Sequence, residues 1–369
     1  MFTQEQSTFL NLIKVSLWGG KSPENADIAF NEAKKHALVP LLFPNSAEAM
    51  RYSVHCIRIL YAQDMLRELL NSAGIPMVIL KGTAASIYYP EPFLRTMGDI
   101  DFIVPADRFQ EASALLTENG YSVAHEEHKL DRHIAYLKDD ISLEMHIRFS
   151  SESIDIERYV LDGMQYPVTV QIEDHSFEML PPLANGMVLL AHVAQHLRYD
   201  LGMRQVIDWM MFVDRVLTDE MWGTEFQMAA RSCGLETLAL AMTRMCQMFL
   251  GLSDSIMWCK DADSALAEAI LSIVLETGNF GHQHGPGSSI EKVSTGIQRF
   301  GLFRYLQIAG ENNWNAYHRH HWLKPFCWLY QIFRYAKQGL HSNRSKTQFA
   351  LDYTRSRSRY DLLTRLGID

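Results

Sequence analysis

Two carboxylates stand one residue apart in Gly98-Asp99-Ile100-Asp101-Phe102-Ile103-Val104. In an extended strand, residues i and i+2 share a face about 6 to 7 Å apart. Asp99 and Asp101 can therefore converge on a hard divalent cation, which prefers oxygen donors. A two-metal site, with its ions about 3.5–4 Å apart, usually needs a third carboxylate from a neighbouring strand. Ile141-Ser142-Leu143-Glu144-Met145-His146 offers one. There Ser142, Glu144, His146 and Arg148 alternate with Leu143, Met145, Ile147 and Phe149, so Glu144 and His146 share a face. Upstream, Lys81-Gly82-Thr83 is a turn between an apolar run and a short helix, where free backbone N–H groups can receive a phosphate. It is not a Walker A loop, because the GxxxxGK spacing is absent. A lone D-x-D is most often a solvated strand end. The conjunction of turn, paired acids and third acid lifts this one above that reading.

Other polar groups have plainer explanations. His192 and His196 are spaced i, i+4, but the intervening Val-Ala-Gln lacks the glutamate of an HExxH zinc motif, so they read as structural hydrogen-bonders. Arg204 and Asp208 are also i, i+4, which a helix salt bridge explains. The loop carrying His282, His284, Gly285 and Gly287 reads as a surface segment, and Met210, Met211, Met242, Met245 and Met248 as core filler.

The elements that must hold these groups follow from hydrophobic spacing. Ala47 to Asn71 repeats apolar residues at helical period and ends at Ala73-Gly74-Ile75-Pro76. Met77 to Leu80, Asp99 to Val104, Tyr121 to Ala124, Ile134 to Lys138 and Ile141 to Phe149 read as strands, the last two joined by an Asp139-Asp140 turn. Pro105 to Glu118 reads as a helix stopped at Gly120. After Pro181-Pro182 the pattern is helical almost throughout: Ala184–Arg198, Met203–Leu217, Glu225–Ser232, Glu236–Phe249, Ala262–Glu276, Lys324–Gln338 and Lys346–Leu366. The expected class is α+β and predominantly helical. The expected division is an N-terminal helical segment (1–74), an α/β domain (75–181) and a helical domain with a basic tail (182–369).

Leu80-Lys81-Gly82, Tyr89-Pro90, Arg95, Gly98-Asp99-Ile100-Asp101 and Leu143-Glu144-Met145-His146 together resemble the uncharacterised nucleotidyltransferase family of the DNA polymerase β-like superfamily. Leu190-Ala191-His192, His196, Arg204 and Asp208 are similar to that family's helical His-x-x-x-His and Arg-x-x-x-Asp pattern. The resemblance implies a small mixed sheet backed by helices. It implies Asp99 and Asp101 as Mg²⁺ ligands, Mn²⁺ being an alternative ion, with Glu144 as third ligand or as base. Nucleotide contacts would come from Lys81, Gly82, Thr83, Arg95 and Gly98, where Thr83 replaces the superfamily's usual serine. His146, His192, His196, Arg204 and Asp208 would lie toward the substrate. The implied reaction moves a nucleoside monophosphate from an NTP, with ATP the expected donor, to a hydroxyl of a small-molecule acceptor. An inactive nucleotide-binding or protein-interaction module of the same fold is the alternative.

The chain has 369 residues, 47% of them hydrophobic, and a formal charge of −9. That balance argues against coating nucleic acid with the whole surface. The charge is uneven. From Lys292 onward there are 13 Lys/Arg against 4 Asp/Glu, a net of +9, which leaves −18 for residues 1–291. Five scattered cysteines without CxxC spacing, no leader-like N-terminus and no long apolar run suit a cytoplasmic protein without a transmembrane segment. Fourteen of the 40 aromatics fall between Phe300 and Tyr360 among basic residues. Trp322, Lys324, Phe326, Trp328, Tyr330, Phe333, Arg334 and Lys337 could form an interfacial helix on an anionic membrane or an RNA-binding surface. The body's own −18 is the nearest anionic partner, so docking on the body is the first expectation for the tail.

Overall fold

In a computed structural model, the chain is described over residues 2–124, 133–149, 154–198, 201–278, 293, 296–298, 300–340 and 346–368. It divides into two compact units, Met1–Phe280 and Gly281–Asp369. The His282–Gly287 loop lies outside the described residues.

The first unit opens with helices α1 (Gln4–Trp18), α2 (Phe30–Lys35), α3 (Val39–Leu42) and α4 (Ala47–Ser72). The Ser46 side chain caps α4 by accepting from the Ala49 N–H. At the other end Ala73-Gly74 stops it: Gly74 turns left-handed at φ 64°, and the Ile75 N–H returns to the Leu70 carbonyl. Ile59, Leu60, Leu66 and Leu70 are buried, while Met50, Val54, Ile57, Tyr61 and Met65 remain exposed on another face. This helix is apolar on two sides.

Seven strands follow: β1 (Val78–Ile79), β2 (Asp99–Ile103), β3 (Ser122–Val123), β4 (His133–Lys138), β5 (Ile141–His146), β6 (Val168–Ile172) and β7 (His175–Met179). They form one mixed sheet in the order β3-β4-β5-β2-β1-β7-β6. β2 lies inside the sheet, antiparallel to β1 and parallel to β5. Helices α5 (Thr83–Ser86), α6 (Phe109–Glu118) and α7 (Ile154–Met164) lie between the strands in sequence. Ile100, Phe102, Ile103 and Val104 are each at most 1% exposed, so apolar burial anchors the strand that carries Asp99 and Asp101.

The Asp139-Asp140 hairpin is present, with both residues at positive φ (52° and 62°), as a primed two-residue turn requires. The second hairpin, β6–β7, and helix α7 were not foreseen from sequence. β7 pairs in parallel with β1 and so widens the sheet on the side away from β5.

Helices α8 (Pro182–Leu197), α9 (Met203–Arg215), α10 (Asp219–Met221), α11 (Gln227–Ser232), α12 (Glu236–Leu250) and α13 (Ser264–Thr277) complete this unit. Pro182 begins α8, where its missing N–H costs nothing. Gly186 lets α8 approach the aromatic core closely: an added Cβ would overlap the Phe212 ring and lie 2.7 Å from Phe226. The second unit contains helices Leu302–Asn313 and Cys327–Leu340, packed together, and Lys346–Leu366.

Candidate active site

Asp101 is the centre of the site. It is 4% exposed and sits opposite Glu144 in the parallel β2–β5 register, with Asp99 opposite Ser142 and Ile103 opposite His146. Register neighbours project from the same face, so the alternation read from sequence places Asp99, Asp101, Glu144 and His146 together. His146 Nε2 lies 3.1 Å from Asp101 Oδ1 and 3.6 Å from Glu144 Oε2. His133, across the β4–β5 hairpin, brings Nε2 to 4.0 Å from Glu144 Oε1. From the turn after β1, Lys81 Nζ reaches to 2.7 Å from Asp101 Oδ1.

Asp101, Glu144 and His146 offer donor atoms within 4.8 Å of one another, a group able to hold a metal ion. Two carboxylates and an imidazole fit a divalent cation, and the oxygen share suits a hard one. His146 is fully buried, and its Nδ1 meets no hydrogen-bond partner among the described residues. Asp99 stands on the same face but outside this tight cluster, with no ion pair among the described residues. The third member of the cluster is thus His146, which sequence reasoning had placed toward the substrate.

The charges bias one another. Burial pushes the Asp99 carboxyl up, helped by the neighbouring Asp101 charge, to about 6. Burial acts the same way on Asp101, but the Lys81 ammonium and the His146 hydrogen bond win and hold it well below the usual range. The His146 imidazole, 3.6 Å from its carboxylate, keeps Glu144 low against burial. Burial would lower Lys81, yet Asp101, Asp99 and Glu144 raise it. His146 is likewise raised by Asp101 and Glu144 in spite of burial. At neutral pH the site holds ionised Asp101 and Glu144 beside a charged Lys81.

The turn itself is built for close approach. Gly82 adopts φ 56°, ψ −107°, which only glycine enters without strain. The Gly82 and Thr83 N–H groups make no hydrogen bond among the described residues. The Thr83 hydroxyl, by contrast, is buried and donates to Gln63 Oε1 on α4 at 2.6 Å. Gln63 was missed from sequence; the signal was a lone amide among α4's buried leucines and isoleucines. Gly98 is exposed, and a Cβ there would meet nothing within 4 Å.

Arg95 is committed elsewhere in the fold. Its Nε and Nη2 donate to Asp208 Oδ1 and Oδ2 at 2.7 and 2.8 Å, and the Tyr89 hydroxyl donates to the same Oδ1 at 2.9 Å. Asp208 therefore pairs with Arg95, 113 residues away, and not with Arg204 one turn back on α9. Arg204 Nη1 donates to the Thr96 carbonyl at 3.1 Å. Both arginines thus brace the segment leading into β2. Burial and the neighbouring Arg95 cation lower the Arg204 guanidinium. His192 and His196 pack edge to face, centroids 4.3 Å apart. Burial and His196, then Lys81, push His192 well down, so its ring stays neutral within reach of the site's charges.

Residues 48–251 match the family described as "uncharacterised nucleotidyltransferase". The chain belongs to that family. Its α+β fold, a seven-stranded mixed sheet with helices before and after, is the one the resemblance implied. Among solved structures, an antigenic nucleotidyltransferase-like protein from Paracoccidioides brasiliensis is similar at 12% identity and TM-score 0.29, covering 57% of this chain and 95% of that one. No curated protein matches. No described helix is long and apolar enough to cross a membrane.

Proposed function

We propose that this member of the family transfers a nucleoside monophosphate from an NTP, ATP being the expected donor, to a hydroxyl of a small-molecule acceptor. The observation that carries the reading is the Asp101–Glu144 register pair, with Asp99 on the same face and Lys81 Nζ 2.7 Å from Asp101. Acids on one sheet face, with Asp101 buried among them, beside a glycine turn whose N–H groups meet no partner among the described residues match what phosphoryl transfer needs, which is positioning and charge neutralisation.

Asp101 and Asp99 would hold Mg²⁺, with Mn²⁺ accepted through His146, which leaves Glu144 as the base. When bound, the ion would supply neutralisation of the phosphate charge that develops as pyrophosphate departs. Lys81 and the Gly82 and Thr83 N–H groups bind the phosphates as cation and donors. Thr83 adds no hydroxyl contact, because its proton is given to Gln63. Gly98 leaves open space beside Asp99 for the nucleotide to approach. Glu144, held ionised by His146, accepts the proton of the acceptor hydroxyl as its oxygen bonds to the α-phosphorus. Arg95 and Asp208 position the approach to β2, and Arg204, His192 and His196 face the acceptor side.

The test is pyrophosphate release from ATP and Mg²⁺ in the presence of pooled sugars and other small hydroxyl compounds. Wild type releases it, and Asp101→Asn abolishes release by at least about a hundredfold. Full activity in Asp101→Asn overturns the assignment. Metal-dependent ATP binding without release under any acceptor favours the inactive binding module.

A further inference from the structure

The helix Cys327–Leu340 is packed inside out. Its buried side carries Cys327 and the polar Gln331, the latter only 1% exposed. Its apolar side chains face outward instead: Leu329, Ile332 and Phe333 are 38%, 40% and 67% exposed, and Phe326, just before the helix, is 50% exposed. Positions i, i+3, i+6 and i+7 form one helical face, so these four residues make a continuous apolar strip about 10 Å long. The inward face is fixed by a tight crossing at Gly310, where an added Cβ would overlap the Cys327 backbone. Rotating the strip inward would require breaking that crossing. Trp322 and Phe303 are each 71% exposed as well, and the Phe303 ring lies 5.8 Å from that of Trp328.

We infer that this face of the second unit is an interfacial surface for an anionic lipid bilayer. Charge complementarity argues for that occupant. Residues 300–340 contain Arg304, Arg319, Lys324, Arg334 and Lys337 against the single acid Glu311. Lys337 lies one turn after Phe333 at the edge of the apolar strip, as cations do on helices lying in a membrane interface, whereas Arg334 is half-buried toward the side of Cys327 and Gln331. Long cationic side chains there reach headgroups while aromatic and aliphatic groups enter the acyl boundary. Leu329 and Ile332 at the strip's centre fit acyl chains and separate the rings of Phe326 and Phe333, which suits lipid better than successive stacked bases. A second copy would bring these same cations together across its interface, which disfavours self-pairing. No described helix is long and apolar enough to cross a membrane, so the face lies on the bilayer and not through it.

The experiment is flotation of the full-length protein with vesicles of phosphatidylcholine alone or phosphatidylcholine with phosphatidylglycerol, at low and high salt. The expected result is binding to the phosphatidylglycerol vesicles at low salt, a loss of at least tenfold at high salt, and no binding to phosphatidylcholine alone. Phe333→Glu, and separately Lys324→Glu with Lys337→Glu, each reduce binding at least tenfold, while Phe333→Leu retains it. Circular dichroism and Tm of each variant confirm folding, and Phe333→Leu against Lys324→Glu/Lys337→Glu keeps the test intact should Phe333→Glu unfold. Absence of vesicle binding by wild type overturns the inference, as would binding unchanged by the charge reversals. Two further results overturn it: a dimer that Phe333→Glu dissociates without vesicle binding, and retention of single-stranded RNA in place of vesicles. None of these outcomes depends on nucleotide transfer.

Discussion

Lys81 and Asp101 form a buried ion pair at the heart of the sheet, Nζ to Oδ1 2.7 Å, with side chains 13% and 5% exposed. A cation is thus already present where the family resemblance calls for a metal ion, and under the proposed function the lysine would compete with that ion and receive the phosphates. Lys81→Met separates these roles. With the lysine removed, Asp101 keeps, among the described residues, only the His146 contact at 3.1 Å, and losing one partner of a buried ion pair costs about 3–5 kcal/mol. Urea unfolding of the metal-free variant should show a loss of that size. Added Mn²⁺ should restore more stability to the variant than it adds to wild type, while ATP binding weakens. An equal Mn²⁺ shift in both proteins would show that lysine and metal do not share the site.

Thr83 tests whether the turn is held from behind. Its hydroxyl donates to Gln63 Oε1, and Gln63 is 1% exposed. Thr83→Val leaves that acceptor unpaired in the interior, a cost of about 1–3 kcal/mol, whereas Thr83→Ser keeps the bond. Chemical denaturation should rank the variants in that order. If Thr83→Val keeps full stability and loses only ATP affinity, the hydroxyl faces phosphate and not Gln63.

Much of this site could be read from sequence because its chemistry is local and periodic. The i, i+2 acids of β2 and the alternation of β5 place Asp99, Asp101, Glu144 and His146 on one face whatever lies around them. The Asp139-Asp140 turn also fixes the β4–β5 register, so His133 opposite His146 was implicit though unread. Glu173-Asp174 also joins β6 to β7 through two residues, with Glu173 at φ 50°, and the strict alternation of Val168-Thr169-Val170-Gln171-Ile172 was legible but unread. Long-range choices were beyond reach. Asp208 has Arg204 one turn away yet selects Arg95, because only the folded sheet and α9 decide which guanidinium arrives in bidentate geometry. Thr83 and Gln63, twenty residues apart, depend likewise on how α4 lies against the turn.

That choice by Asp208 has its own consequence. The carboxylate accepts from Arg95 twice and from Tyr89 once, all buried. Asp208→Asn strands the Arg95 charge and should cost about 3–5 kcal/mol. Arg204→Gln, which removes a donor to the Thr96 carbonyl without orphaning Asp208, should cost about 1–3 kcal/mol. Urea midpoints for the two variants give the comparison. Equal losses would mean that Asp208 is shared between the arginines in solution.

His36 sets an acid limit on the first unit. It is fully buried, its ring is stacked on Phe9 at 5.1 Å, and its Nδ1 accepts from the Met203 N–H at 3.2 Å. Burial lowers its pKa, outweighing the Glu32 carboxylate 3.3 Å from Nε2 that favours the charged ring. An unfolded histidine titrates near 6.5, so below about that pH the unfolded chain binds a proton that the native ring refuses. Stability from this group is complete above about pH 6.5 and is lost as pH falls toward the lowered native value, with a slope of at most about 1.4 kcal/mol per pH unit. His192 is shifted in the same direction and adds to the trend. His36→Asn isolates one contribution, since its Oδ1 can accept from Met203 while carrying no titrating group. Unfolding free energies measured between about pH 7.5 and 5.5 should fall less steeply in the variant than in wild type. Parallel slopes would mean that His36 gains its proton in the folded protein as readily as in the unfolded chain.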